Sequence, residues 1–514
     1  MTAHRTRLRR DVTPVILHTA LSARGGGLAR AVPERASLYA RHVEHVLVLT
    51  TGFAPRLDAV VRELQQRGTL DERVVVRNFF RDSSWARALG VPPPEALTSD
   101  DPDVVPALQA LPGSPPLRVA DRRTGQRHPF RYRYYDAQGR TLLTSATSPG
   151  KKYELRVAGA EDERVDAAWG SLVAGWVDEE IEGLRRPVVF SLQRGLVDPV
   201  LLATTKASRT VVSLHNCHYR DPEDPRSGIR SIFRPVLDGP RPVDEIVCLT
   251  EQQRRELEVD APTTVLRAIP YPGRVPREGP VETDPHLVVV VARLEARKRV
   301  DHAVRAFASV VQAVPDARLE VYGDGPEAPA LRALVAELGL EGSVLLKGYS
   351  LDVGRAQARA LCTLMTSTFE GFARVISESL SRGTPVVSYD VRYGPRDLVR
   401  DGVDCLLVRT HEPEALAAAV VSLLRDPERA AAMGLRAREV LQRFPVEDFE
   451  RDWLRVLRPR RTPLRVVVAD LTSRVAPVRR RLSRLVRPGL RPAPAQRLTS
   501  QRLTSQRLTT QRRP

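Results

Sequence analysis

The sequence predicts an α/β fold of two doubly wound, Rossmann-like domains facing a cleft, with a β-rich insertion in the first. Three observations predict it. Short apolar runs alternate with helix-length segments in two separate blocks, the rhythm of parallel sheets covered on both faces. A stretch rich in proline and glycine, beginning at Pro270, parts the blocks. The chain's 514 residues also exceed one core, at roughly 150 residues per domain.

The first block opens with the apolar run Val12 to Leu17, the glycine loop Arg24-Gly25-Gly26-Gly27 and a helix-like stretch to His42. A strand at Val43 to Leu49, a helix at Leu57 to Arg67 and a strand at Arg73 to Val76 follow. The rhythm then stops. Proline clusters lead into alternating aromatics, Phe130-Arg131-Tyr132-Arg133-Tyr134, a turn at Asp136 to Gly139 and a second alternating run, a pattern of antiparallel hairpins. The rhythm resumes with strands at Pro187 to Ser191, Thr210 to Leu214, Glu245 to Leu249 and Thr263 to Ile269.

After a hinge-like linker to Pro285, the second block reads as strands at His286 to Val291, Arg318 to Tyr322, Val344 to Leu346, Leu361 to Met365 and Pro385 to Tyr389. Its helices are expected at Val300 to Val314, Pro329 to Leu338, Pro413 to Arg425 and Pro427 to Arg443, with an amphipathic stretch from Val446 to Leu457 crossing back. The expected division is therefore 10–78 with 161–270 for the first, acceptor-side domain and 79–160 for its insertion. The second, donor-binding domain takes 286–445, the crossing helix 446–458 and a basic tail 459–514.

The net charge of +18 suggests nucleic acid until it is located. Residues 459–514 hold 15 arginines against one acid, Asp470, so the rest of the chain carries only +4. Val468, Leu471, Val475, Val478, Leu482 and Leu485 recur at three and four residues among those arginines, the pattern of a basic amphipathic helix kinked at Pro477 and suited to an anionic membrane surface. Beyond Pro494 a polar pentad repeat cannot bury a core and is expected to be disordered. The four cysteines form no C-x-x-C pair and three sit in apolar runs, which fits reduced core thiols and a cytoplasmic setting, with the tail placing the chain peripherally at the inner face of the membrane. No apolar stretch approaches the roughly 20 residues that span a bilayer, and the basic start before Val12 is read as leading into a strand, not as a signal peptide.

The chemistry concentrates in Phe369-Glu370-Gly371-Phe372-Ala373-Arg374-Val375-Ile376-Ser377-Glu378. A strand before it and a helix after it place Glu370 in a loop and Glu378 one to two turns into the helix. The unpaired N–H groups and dipole of a helix start favour an anion such as a phosphate. The loop after strand His286 to Val291 carries Arg293 and Lys298, two cations that could neutralise a leaving diphosphate in the same crevice. Each of these residues also has an ordinary reading, since acids are favoured at helix starts and arginine is abundant throughout.

The stretches VVARLEARKR, VYGDGP and EGFARVISESLSRGTPVVSYD resemble the family 4 retaining glycosyltransferases of GT-B fold, over most of residues 10 to 458. Their E-x7-E signature is matched by Glu370 and Glu378. The resemblance implies that Arg293 and Lys298 bind the donor diphosphate, Glu378 the ribose and Glu370 the donor sugar. Gly371, Phe372, Ala373 and Arg374 would hold phosphate and hexose through their backbone, and Gly26 and Gly27 would approach from the first domain. The family often has glycine where Ala373 stands.

The insertion together with LHNCHYR, DEIVCLTEQQ and SYDVRYGPRDLV resembles the subgroup of poly(glycerol-phosphate) α-glucosyltransferases of wall teichoic acid. In HNCHY the resemblance places a histidine near the donor's anomeric carbon, and His218 is favoured over His215. The expected reaction is transfer of glucose or N-acetylglucosamine from a UDP-sugar, with retention, to a polyol-phosphate or other cell-envelope glycan. The leaving phosphate would assist deprotonation of the acceptor. No cofactor or metal is expected, nucleic acid is not, and the insertion's edge strands could mediate homo-oligomers. Protein O-glycosylation and a non-catalytic GT-B partner subunit are the rival readings.

Overall fold

The computed structural model describes residues 11–459, except 24–26, 53, 55, 85–103, 110–117, 124–130, 136–140, 147–153, 158–168, 196, 263, 277–278, 280 and 410. The expectations for the tail lie outside the described residues.

A seven-stranded parallel sheet organises the first lobe. Its strands are β1 (Thr13–His18), β2 (Val46–Thr50), β3 (Val74–Asn78), β9 (Pro187–Ser191), β10 (Arg209–Ser213), β11 (Glu245–Cys248) and β12 (Val265–Ala268), in the order β12-β11-β10-β9-β1-β2-β3. β1, β2 and β9 are buried at every residue, as expected of apolar runs covered on both faces. Helices Gly27–Ala40, Leu57–Gln66, Trp169–Ile181, Val197–Ala203 and Glu251–Asp260 belong to this lobe. The expected insertion is a five-stranded antiparallel meander of β4 (Val104–Gln109), β5 (Arg118–Arg123), β6 (Arg131–Tyr135), β7 (Thr141–Ala146) and β8 (Glu154–Val157).

The second lobe holds a six-stranded parallel sheet in the order β15-β14-β13-β16-β17-β18. Its strands are β13 (Asp284–Val291), β14 (Arg318–Tyr322), β15 (Val344–Gly348), β16 (Ala360–Met365), β17 (Val386–Tyr389) and β18 (Cys405–Val408). The helix Val300–Ala313 buries Val300, Ala303, Val304, Ala306, Phe307 and Val310, a three- and four-residue spacing that lays one face on the core. The stretch expected as one helix from Pro427 to Arg443 is two, Pro427–Ala437 and Val440–Arg443.

The crossing helix Val446–Leu457 reaches the first lobe: its Trp453 ring lies 6.4 Å from Phe190 of β9, under the Arg35 guanidinium. Burying a side chain such as Phe449 contributes roughly 1.5–3 kcal/mol. The segment at 270–285, expected as a loose hinge, is anchored at its start. Tyr271 is buried with its ring 6.0 Å from Phe449, and Gly273 donates its N–H to the Phe444 carbonyl at 2.9 Å.

Candidate active site

In the second sheet the strand order reverses between β13 and β16, the point beyond whose carboxyl ends open α/β sheets take ligands. The loops after these two strands are laced together. Thr366 Oγ1 donates to the Lys298 carbonyl at 2.8 Å, and the Thr368 N–H to the Arg297 carbonyl at 2.9 Å. This lacing brings the Lys298 ammonium onto the Glu370 carboxylate, which also accepts from Ser367 Oγ at 2.7 Å. Burial opposes charge on Glu370, but Lys298 and Ser367 outweigh it and hold the carboxyl below its ordinary range. The YDVRYGP stretch forms the support of this loop. Glu370 N–H donates to the Arg392 carbonyl at 3.0 Å, Tyr393 N–H donates to the Glu370 carbonyl at 3.2 Å, and Gly394, at φ 107°, passes so close to Phe372 that a Cβ would sit 2.6 Å from its carbonyl oxygen.

Glu378 lies one turn into the helix Arg374–Ser381. Ala373 precedes it at φ 61°, ψ 61°, the left-handed conformation that a glycine would take without strain, and no side chain caps the helix start. The first N–H groups are thus left for a ligand. Arg374 turns to the first lobe, donating to the Gly27 carbonyl at 3.3 Å and to Glu34 at 3.0 Å, with its guanidinium 4.5 Å from the Tyr271 ring centre. Burial works against its charge, but Glu34 and Glu378 outweigh it and fix the guanidinium as charged. Glu378 is joined at 2.7 Å by Arg30 of the first lobe, a contact between residues 348 apart that local sequence could not announce.

The expected residues fall into separate pairs. Lys298 meets Glu370, Glu378 meets Arg30, and Arg293 pairs with Glu295 at 2.6 Å on a half-exposed surface, not with Glu370. Gly27, Gly371, Phe372, Ala373 and Arg374 lie together where the lobes meet; Gly26 is outside the described residues.

His218 lies inside the protein. It is fully buried, Nε2 lies 3.0 Å from Asp260, and Nδ1 lies 3.4 Å from both Gln253 and the Tyr393 hydroxyl, so both ring nitrogens are occupied by protein. Tyr393 in turn donates to Glu256, which also accepts from Arg392 at 3.0 Å. His218 is thus enclosed at a joint between the lobes. The neighbour set aside, His215, stands against the Glu370 loop: a Cβ on Gly371 would lie 2.1 Å from its carbonyl oxygen. Its Nδ1 is 3.4 Å from the Tyr271 hydroxyl, its Nε2 is buried without a hydrogen-bond partner, and burial with the neighbouring guanidinium groups pushes its pKa down to about 3.

Residues 274–440 match the model of the family Glycosyl transferases group 1. Over 244 residues, 47% of this chain and 36% of the relative, the sequence is 28% identical to a poly(glycerol-phosphate) alpha-glucosyltransferase of Bacillus subtilis. It is 34% identical to an exopolysaccharide phosphotransferase of Streptomyces coelicolor over 222 residues, 43% of this chain and 24% of that one. The chain thus spans well under half of these two relatives. Among solved structures it is similar to Staphylococcus aureus TarM in complex with UDP and α-GlcNAc-glycerol, with a TM-score of 0.68 and 16% identity, covering 87% of this chain and all of that one. That likeness establishes the architecture: the fold is GT-B, and residues 274–440 are a glycosyl transferases group 1 domain.

Proposed function

We propose that the chain is a retaining hexosyltransferase, moving glucose or N-acetylglucosamine from a UDP-sugar to a hydroxyl of a polyol-phosphate or other cell-envelope glycan. The observation that carries the reading is the Lys298–Glu370 pair beside an uncapped helix start, at the point where the strand order of the second sheet reverses and directly against the first lobe. On this reading Lys298 and the N–H groups after Ala373 take up charge as the diphosphate leaves, Glu370 orients the sugar hydroxyls, and Glu378 exchanges Arg30 for the ribose. The leaving phosphate assists deprotonation of the acceptor hydroxyl on the same face of the sugar. The name of the Bacillus subtilis relative and the UDP and α-GlcNAc-glycerol held by TarM support the donor and acceptor classes. The phosphotransferase named above shares only 24% of its length with this chain, so its name carries less weight.

Calorimetry with UDP-glucose and UDP-N-acetylglucosamine should show binding by the wild type and at least tenfold weaker binding by Glu378→Ala; heat from neither sugar with either protein would end the reading.

Two further proposals concern location and assembly. Among the described residues no helix is long and apolar enough to cross a membrane. The basic tail would hold the chain peripherally at the inner face of the cytoplasmic membrane, so vesicles rich in anionic lipid should retain the full chain and release one ending at Arg458; equal retention would refute it. β4 and β8 are the outer strands of the inserted sheet, and free strand edges pair readily. A homo-oligomer through them predicts a multiple of the 57.2 kDa chain mass in sedimentation, and a monomer at all concentrations would exclude it.

A further inference from the structure

The centre of the first sheet carries a polar cluster that the donor chemistry leaves unused. β9 lies between β1 and β10, in a register that sets Leu17 and Val212 on either side of Ser191. The three strands therefore end nearly level, and the segments after them, with His18, Arg194 and His215, emerge side by side at the carboxyl end. The strand order reverses there, between β9 and β1, which is where open α/β sheets take ligands. Thr19 Oγ1 donates to Gln193 Oε1 at 2.7 Å and ties two of the segments together.

Four nitrogens in this cluster are buried without a hydrogen-bond partner: His18 Nε2, Arg194 Nε and Nη1, and His215 Nε2. Interior polar atoms are nearly always satisfied, so orphans gathered at a sheet's ligand-binding end call for an explanation in function. Their hydrogens can be assigned. His18 Nδ1 lies 2.8 Å from the Ala20 carbonyl and 3.3 Å from the Ala20 N–H; with the shorter contact as the hydrogen bond, Nδ1 carries the proton and Nε2 of the neutral ring keeps a lone pair. His215 Nδ1 faces the Tyr271 hydroxyl, and with that hydroxyl donating, Nε2 carries the hydrogen. Arg194 is oriented by the Ser191 carbonyl and hydroxyl, each 3.0 Å from Nη2, while Asp198 stands 3.1 Å from Nη1 as an ion pair without a hydrogen bond; the Nε and Nη1 hydrogens are left over.

The surrounding charge is mostly positive, with Asp198 the carboxylate paired to Arg194. The groups acting most strongly on His215 are Arg35, Arg194, Arg374 and His18, all of which oppose a proton there. Such surroundings favour an anion.

We propose that His18, Arg194 and His215 form a subsite for a phosphate group of the acceptor, with the hydroxyl to be glycosylated beside it. Arg194 Nε–H and His215 Nε2–H donate to phosphate oxygens, and His18 Nε2 accepts from the hydroxyl. The assignment rests on the glycosyltransferase reading and adds to it a reason for a phosphate-bearing acceptor. The second lobe covers the cluster, since Gly371 abuts the His215 carbonyl, so the ligand enters when the lobes part.

A phosphate at this place could come from acceptor or donor, and calorimetry with two probes separates them. The wild type should bind sn-glycerol 3-phosphate, with glycerol giving no heat. Arg194→Gln should weaken that binding at least tenfold and change UDP binding less than twofold. Because this variant leaves Asp198 in the interior without its cation, His215→Gln, which breaks no ion pair, serves as the second variant with the same expected result. A loss of UDP affinity equal to that for glycerol phosphate would assign the subsite to the donor and overturn the proposal. Unchanged glycerol phosphate binding in both variants, or none in the wild type, would also overturn it. Binding of glycerol phosphate without any nucleotide sugar would instead sink the donor reading and leave this site standing.

Discussion

Gly371→Ala is expected to lower the rate of sugar transfer about a hundredfold, the scale of a small misplacement of reacting groups, with little change in melting temperature. The added Cβ would meet backbone atoms of the other lobe, 2.1 Å from the His215 oxygen and 2.4 Å from its carbonyl carbon. Backbone cannot swing aside as a long side chain does, so the lobes must stand further apart. The contact lies in loops beyond the strands of both sheets, whose pairing is untouched, which is why stability is spared. Steady-state kinetics together with small-angle X-ray scattering would check this: the variant should be slower and more open, and a fully active variant would show that the lobes need not meet at this glycine.

Lys298→Ala should have a larger effect on both stability and turnover. It leaves the buried Glu370 carboxylate with Ser367 as its remaining side-chain hydrogen-bond donor. Removing one partner of a buried pair destabilises by about 3–5 kcal/mol, because the other charge stays in the interior. Glu370 is held below the usual carboxylate range largely by Lys298, so in the variant burial prevails and the group tends to protonate. Losing a cation aimed at a developing negative charge costs roughly a hundred- to thousandfold in turnover. Denaturant unfolding and transfer assays would measure the two losses. The double variant Lys298→Met with Glu370→Gln should recover much of the stability and none of the turnover, since no uncompensated charge remains but the chemistry is gone. A single variant as stable as the wild type would mean that the pair is solvated.

The strands were legible because parallel strands buried on both faces are continuous apolar runs, and VLVLT or ALCTLM reads as nothing else over so short a length. The helix Glu251–Asp260 was not legible, since it buries only Gln253 and Leu257 and offers no apolar stripe. β18, four residues long, lies below the length at which a pattern declares itself. Glu370, Glu378 and Lys298 could be picked out because their spacing is local. The surroundings of His218 could not be read locally. They depend on Asp260, 42 residues from His218, and on Tyr393, 175 residues from it. Arg30 and Arg194 gave no signal among so many arginines.

The anchored start of the interlobe segment and the returning helix lie side by side, Tyr271 against Phe449 and Gly273 against Phe444. A body joined to its fellow by two adjacent threads can swing about the line through them, like a door on two pins, but cannot slide. Tyr271 also touches His215 and Arg374, so a rotation about that line would leave this corner of the site in place and part the lobes farther from it.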